Sequence, residues 1–303
     1  MKKQPVIFNS LSQLHKAMGQ PAPAHPLISI LNYGEAHFDP ADFERGIILN
    51  FYKISFKTHF SGRLRYGQGY YDFEEGGMSF IAPGQLLRMQ DEENDYSGMT
   101  LHIHPDFLRS YPLSAAIKLF GFFSYSAAEA LYLSEKEKAT VLNVYRFIQD
   151  ELNERIDKFS QDVIISQIEL LLNYANRYYD RQFITRKAVN NDILNRLEAL
   201  LDGYFNEDKP VVAGLLSVNA VAEQLQLTPR YLSDLLRNLT MQNTQQFIHG
   251  KVIEKAKEYL AKDGLTVAEV AYQLGFEHPQ SFNKLFKSKT TLSPLDYKKS
   301  LSN

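Results

Sequence analysis

One helical module is written twice in the last third of this chain, and a tandem repeat of that kind leaves few folds open. The run SVNAVAEQLQL at 217–227 recurs as TVAEVAYQLGF at 266–276, 49 residues on. Each copy continues into a second helical run, LSDLLR at 232–237 and FNKLFK at 282–287, where the offset has become 50. One residue has therefore been added in the second turn. Val218, Val221, Ala222 and Leu225 fall at i, i+3, i+4 and i+7, as do Val267, Val270, Ala271 and Leu274, so each first helix carries one apolar stripe. Ala222 and Ala271 are small enough to let a second helix cross closely. Ser217 and Thr266 are N-cap residue types, and Thr266 with Glu269 makes a capping box. Thr228-Pro229 and His278-Pro279 open the second helices with proline at the first helical position, where its missing N–H is harmless. Two helix-turn-helix units are predicted, about 217–239 and about 266–289.

What the second helices leave facing outward points to their use. With Leu232, Leu235, Leu236 and Leu239 turned inward on one and Phe282, Leu285 and Phe286 on the other, the outer faces carry Arg230, Ser233, Asp234 and Arg237, and Gln280, Asn283, Lys284 and Lys287, with Ser281 beside them. A helix presenting amides, Arg and Lys in this way fits a DNA major groove, where those groups address base edges. One such amphipathic helix would ordinarily be a solvated face; two matched copies favour a reading face. Gln280 and Asn283 can pair with adenine N6 and N7, and Lys284 can donate to guanine O6 or N7. Arg237 and Lys287, a turn further along, are placed for phosphates. Asp234 has two readings, as an acceptor for cytosine N4 or as the partner of Arg230 four residues earlier.

Between the copies a linker helix is expected at about 244–262, with Ile248, Val252, Ala256, Tyr259 and Leu260 on one side and Gly264 as its stop. Nineteen residues would span roughly 28 Å, comparable with the ~34 Å between successive major grooves on one side of B-DNA. A last short helix starts at Ser293-Pro294 and carries Leu295, Tyr297, Lys298 and Lys299. The run TVAEVAYQLGF followed by QSFNKLFKSKTTLSPLDYKK resembles the second helix-turn-helix of the AraC/XylS family of bacterial transcription regulators, and the resemblance extends over about 192–300. It implies a DNA-binding domain of seven helices with bipartite major-groove contact. Two positions depart from the family pattern. Where the family commonly has Thr-Gly after each reading helix, this chain has Thr240-Met241 and Thr290-Thr291, so a left-handed turn there would be mildly strained. Where it commonly ends on Arg, Lys298 keeps the charge and loses the planar fork.

A DNA-binding unit of about 110 residues leaves most of a 303-residue chain unexplained, so two domains are expected, 1–185 and 190–303. Hydrophobic content of 44% with 22% charged residues is that of a globular protein. No cysteine is present, which excludes disulfides, Cys-ligated zinc and thiol catalysis and suits a reducing cytosol. The start, MKKQPVIFNSLSQ, has too short an apolar run for a signal peptide, and no stretch reaches the ~18 apolar residues of a membrane span, so a cytoplasmic location is expected. The net charge of −2 is unevenly divided: residues 211–303 hold 11 Lys+Arg against 8 Asp+Glu, and the remainder 22 against 27, giving +3 and −5.

Residues 27–104 read as strands, at 27–31, 46–56, 69–73, 78–82 and 99–104, separated by Gly, Pro, Asn and Asp, which indicates a small barrel or sandwich. Phe51, Tyr52, Tyr66, Tyr70, Tyr71 and Phe73 either line a pocket there or pack its core. Helices follow. Ser134 and Glu137 form a capping box before Val141, Tyr145, Ile148 and Leu152, and a second stripe runs Ile164, Ile168, Leu171, Ala175 and Tyr178. A hinge is expected at 185–190 and a loop at 206–210. The family resemblance implies a cupin-like sensor half, with His104-Pro-Asp-Phe-Leu108 as the segment leaving its last strand, and helices that commonly form a dimer interface; burial against their own domain is the other reading.

The fold class expected is therefore α+β in two domains, a β-rich cupin-like barrel with packed helices and an all-α double helix-turn-helix. The function expected is a homodimeric, effector-gated transcription regulator, an activator by the family's commoner outcome, whose partners are double-stranded operator DNA, RNA polymerase and a small-molecule effector, with no cofactor. The alternative is a metal-dependent cupin enzyme with a vestigial DNA-binding tail. It rests on His102 and His104, two apart on a strand and so on one face. The carboxylate such a site needs is not at a clear spacing, since Asp106 follows Pro105 directly and the next acidic residue is Glu129. Gly67-Gln-Gly69 is too short for a phosphate loop.

Overall fold

The computed structural model describes residues 4–35, 45–60, 64–66, 69–71, 76–87, 96–126, 129–155, 157–206, 209–262 and 264–301. Contacts divide the chain into two compact units, Met1–Gln182 and Phe183–Asn303. The first contains β1 (Val6–Phe8), α1 (Leu11–Ala17), β2 (Ile28–Asn32), β3 (Ile47–Leu49), β4 (Tyr52–Phe60), β5 (Leu64–Tyr66), β6 (Gly69–Tyr71), β7 (Gly77–Ile81), β8 (Leu86–Leu87), β9 (Tyr96–Ile103), α2 (Pro105–Leu108), α3 (Leu113–Ala116), β10 (Leu131–Tyr132) and α4 (Glu135–Asn153); α5 (Ser160–Thr185) closes it.

Five strands form an antiparallel sheet in the order β10-β7-β4-β9-β2, a smaller sheet runs β1-β3-β8 with β1 parallel to β3, and β5 pairs with β6 alone. Among the described residues these remain separate sheets, so the expected barrel is an open arrangement. The run at 46–56 shows why. Read as one strand, it breaks at Asn50-Phe51, and its halves go to different sheets as β3 and β4. A bulge between Lys57 and His59 then bends β4 against β9. Gly98 sits opposite Lys57 at φ 134°, and a Cβ there would lie 2.2 Å from the Phe56 carbonyl oxygen, so only glycine fits. Phe51 and Tyr52 are buried in the core; Phe73 and the side chains of Tyr66, Tyr70 and Tyr71 lie outside the described residues.

Alternation gives the large sheet two unlike faces. Ile54, Phe56, Leu101, Ile103 and Phe80 face the helices. Buried Tyr145 of α4 donates its hydroxyl to the Ile54 carbonyl at 2.8 Å, and Phe80 packs on Phe122 with ring centroids 4.3 Å apart. The capping box of α4 is present as expected. Arg181 of α5 bonds both carboxylate oxygens of Glu137 at 2.9 Å and the Tyr132 carbonyl at 2.7 Å, tying α5 to the start of α4. The stripe Ile164, Ile168, Leu171, Ala175 and Tyr178 is buried within this chain. It is filled by the unit's own core and is not a free surface for a second copy.

The second unit begins in the last turn of α5. It continues with α6 (Lys187–Asn206), α7 (Lys209–Ala213), α8 (Val218–Leu225), α9 (Pro229–Thr240), α10 (Thr244–Leu260), α11 (Val267–Gln273), α12 (Pro279–Thr290) and α13 (Pro294–Leu301). Among the described residues that is one helix more than the seven implied, the short α7 occupying part of the expected 206–210 loop. At the expected hinge, 185–190, only Arg186 separates α5 from α6, and buried Asn190 donates to the Phe183 carbonyl across the break. The linker helix ends at Leu260 with Ala261 as its cap, and Gly264, at φ 92°, lies in the following loop.

Candidate nucleic-acid interface

The two helix-turn-helix copies close their turns by the same bonds. Gln226 and Gly275 occupy the left-handed turn position at φ 60° and 84°, and the next N–H, of Leu227 or Phe276, donates back to the Ala222 or Ala271 carbonyl at 2.9 and 3.0 Å. Gly275 is obligatory because a Cβ would meet the Gly214 carbonyl carbon at 2.6 Å. Leu227 and Phe276 are both buried anchors. Thr228 then caps α9 directly, accepting from the Tyr231 N–H, whereas exposed Glu277 intervenes before His278 and Pro279 begin α12. Glu277 is the added residue that the change of offset required.

Each crossing is held by the residues expected: Val221, Ala222, Leu225, Leu232, Leu235 and Leu236 in the first copy, and Val270, Ala271, Leu274, Phe282 and Phe286 in the second, all buried. Burying each of the larger side chains stabilises the packing by about 1.5–3 kcal/mol. Between the copies α10 runs 17 residues, roughly 25 Å. Its start is fixed by a capping box of Asn243 and Gln246 that the sequence reading missed.

The outward faces differ in their free state. On α9, Asp234 accepts from Arg230 at 2.9 Å and from Arg237 at 2.8 Å, so one half-buried carboxylate ties up both guanidinium groups. Ser233 bonds the buried Thr244 hydroxyl at 2.9 Å and so pins α9 to the first turn of α10. On α12 the side chains of Gln280, Ser281, Asn283, Lys284 and Lys287 are exposed, and among the described residues none makes a hydrogen bond or ion pair. Asn283, Lys284 and Lys287 border an open groove of about 1000 Å³, which Thr266 and Lys298 also line. Lys298 donates to the Leu265 carbonyl, bracing the α11 entry. Two hydrogen bonds from Thr266 hold the Glu269 carboxyl below its usual range. Lys298 and Thr266 were not read as interface residues; their place beside Asn283 depends on how α13 folds back, which no local pattern encodes.

The structure places the two histidines of the pair differently. His104 lies beyond the end of β9, where it caps α2 by accepting from the Asp106 N–H, while His102 is buried in the sheet. Among the described residues no three His, Asp or Glu side chains come together as a metal would need. No described helix is long and apolar enough to cross a membrane.

Comparison with known proteins matches residues 221–300 to the family model described as a helix-turn-helix domain. Curated relatives include the HTH-type transcriptional activators RhaS of Salmonella paratyphi B and of Salmonella newport, each 30% identical over 138 residues. The match covers 45% of this chain and 45% of each relative, so the chain spans about half the length of those proteins. Among solved structures, the C-terminal domain of the response regulator yesN from Fusobacterium nucleatum is 27% identical, with 33% of this chain and 96% of that one covered and a TM-score of 0.29. ToxT from Vibrio cholerae is 16% identical, with 84% and 92% covered and a TM-score of 0.32.

Proposed function

We propose that this chain is a transcription regulator of the AraC type that binds a specific operator through α9 and α12 and acts as a dimer under the control of a small-molecule effector, a reading supported by the match of residues 221–300 to a helix-turn-helix family model. The observation that carries this reading is the matched pair of helices whose buried faces repeat while their outer faces present Arg230, Arg237, Gln280, Asn283, Lys284 and Lys287. A strut of roughly 25 Å between them suits two major-groove contacts about one turn apart. Activation, through contact with RNA polymerase, is the direction favoured by the RhaS relatives, which are named as activators. The first unit, net acidic and rich in strands, takes the regulatory role. Pairing of two copies is assigned to the outward faces of α4 and α5, where Phe147, Val163 and Leu170 are exposed.

Selection of duplexes from a random pool by the full chain tests the reading. Enrichment of a site with two short conserved blocks about one helical turn apart is the expected outcome. Failure to enrich any sequence, with binding that remains purely salt-dependent, would refute it.

A further inference from the structure

The large sheet loses a strand partway along one edge. β10 pairs with β7 only at Gly77 and Met78, so among the described residues no strand continues that edge beside Ser79, Phe80 and Ile81. The chain then turns at 82–85 and enters β8 of the smaller sheet. A half-enclosed cavity of about 360 Å³ is lined by both strands, wholly within the first unit. That volume is in the range of small-molecule sites. Ser79, Phe80 and Ile81 all line it. Successive side chains of a strand point to opposite faces, so three in a row bring the cavity to the backbone edge of β7 and its unpaired donors and acceptors.

Much of the remaining wall is aromatic, and its rings are already ordered against one another. Phe122 stacks on Tyr179 of α5 at 5.6 Å and packs on Phe80, while Tyr125 meets the Tyr179 ring edge-on at 5.2 Å. The Tyr179 hydroxyl donates to the Glu129 carbonyl at 3.1 Å, which fixes that ring in place. Polar groups are few and positioned. Gln85 accepts from the Ala82 N–H at 2.9 Å through Oε1 and donates to the Phe123 carbonyl at 2.8 Å through Nε2, which leaves the Nε2 amide one further N–H. Ser79 adds a hydroxyl. No described residue that lines the cavity is charged. Buried Glu129 stands outside the lining, its Oε2 accepting from the Ser126 N–H at 2.6 Å.

We infer that this cavity binds a small neutral aromatic molecule bearing a hydroxyl or carbonyl group, its ring against Phe122, Tyr125 and Tyr179 and its polar group on Ser79 and Gln85. The inference rests on the reading of the first unit as the effector-binding half, and gives that reading a site and a ligand class. A charged ligand is disfavoured, because a charge drawn from water into an uncharged lining keeps its full desolvation cost. A purely aliphatic body forgoes the edge-to-face contacts that the ordered rings offer. A hydrocarbon without a polar group would cover the Gln85 amide and the β7 edge and leave them without partners.

The test is calorimetric titration of the full chain, without DNA, with 2-naphthol, with the anion 2-naphthoate and the cation 2-naphthylmethylammonium, and with decahydro-2-naphthol, whose rings are saturated. 2-Naphthol is expected to bind roughly tenfold or more tightly than either ion, and about threefold or more tightly than the saturated alcohol. Ser79→Leu, which fills the cavity from β7, should abolish binding while unfolding at no lower temperature than the parent. Should that variant fail to fold, Ser79→Ala decides, since loss of the hydroxyl alone should weaken 2-naphthol about fivefold. Binding of either ion as tightly as 2-naphthol overturns the neutral class, and equal binding of the saturated alcohol overturns the aromatic one. Absence of binding by every probe, or binding unchanged in the serine variants, overturns the site. Operator affinity measured with and without 2-naphthol separates the two claims: a complex that leaves it unchanged keeps the site and removes the effector reading.

Discussion

Met241 and Thr291 end α9 and α12 at φ 60° and 68°, a conformation that costs an ordinary L-residue about 1–2 kcal/mol. Both positions were legible as departures from the family's Thr-Gly, and the backbone nevertheless keeps the left-handed turn. Met241→Gly and Thr291→Gly should each stabilise the chain by about 0.5–1 kcal/mol in urea unfolding, with the β-branched Thr291 gaining more; a loss of stability would contradict the account. Asp234 was left between two roles, and its bonds to Arg230 and Arg237 favour the structural one in the free protein. Asp234→Asn should release both cations, raise affinity for random DNA and steepen its salt dependence by about one unit; a gain confined to one sequence would instead mark a base contact. Lys57 is pulled down to about 7 by burial and secondarily by Lys53. The unfolded chain, where the group titrates near 10.5, then holds one more proton between those values, so stability should rise with pH from about 7 toward 10.5 and gain nothing from this group below 7. Lys57→Met should flatten that rise in pH-dependent denaturation, and a profile unchanged by the substitution would refute the assignment.

Elements were legible where one signal governed them. Ser134 and Glu137 announced α4, and the apolar spacing of α8, α9, α11 and α12 gave their buried faces, because capping and periodicity are local. The Asn243 and Gln246 box is the same signal in other residue types and was passed over. The run at 46–56 is uniformly apolar, and nothing in it tells one long strand from two short ones in different sheets. The stripe on α5 shows a further limit: periodicity says that a face is buried, and only the tertiary fold says against what. Ile164 and Ile168 meet their own unit, which moves the proposed dimer contact to the opposite face. Leu170→Glu, at an exposed position, should therefore shift the full chain from dimer toward monomer in sedimentation without lowering its melting temperature. A parent that sediments as a monomer would remove the dimer proposal.

At the scale of the molecule, charge and chemistry divide between the two units. Residues 1–182 hold the sheets, and residues 183–303 hold the two helix-turn-helix copies. The repeat made the second half readable because two copies constrain each other; the first half has no such internal reference, and the cavity beside β7 emerged only from the tertiary fold. The central claim is that α12 reads sequence, and Asn283 tests it most directly. Its amide is exposed and, among the described residues, makes no hydrogen bond. Asn283→Ala in the full chain, measured at fixed salt against the selected site and against random duplex, should cost roughly 1–3 kcal/mol on the former and little on the latter. Lys287→Ala, the phosphate-contact control, should weaken both about equally and lower the salt slope by about one. An unchanged ratio of specific to non-specific affinity in Asn283→Ala would contradict the assignment of α12 as the reading helix.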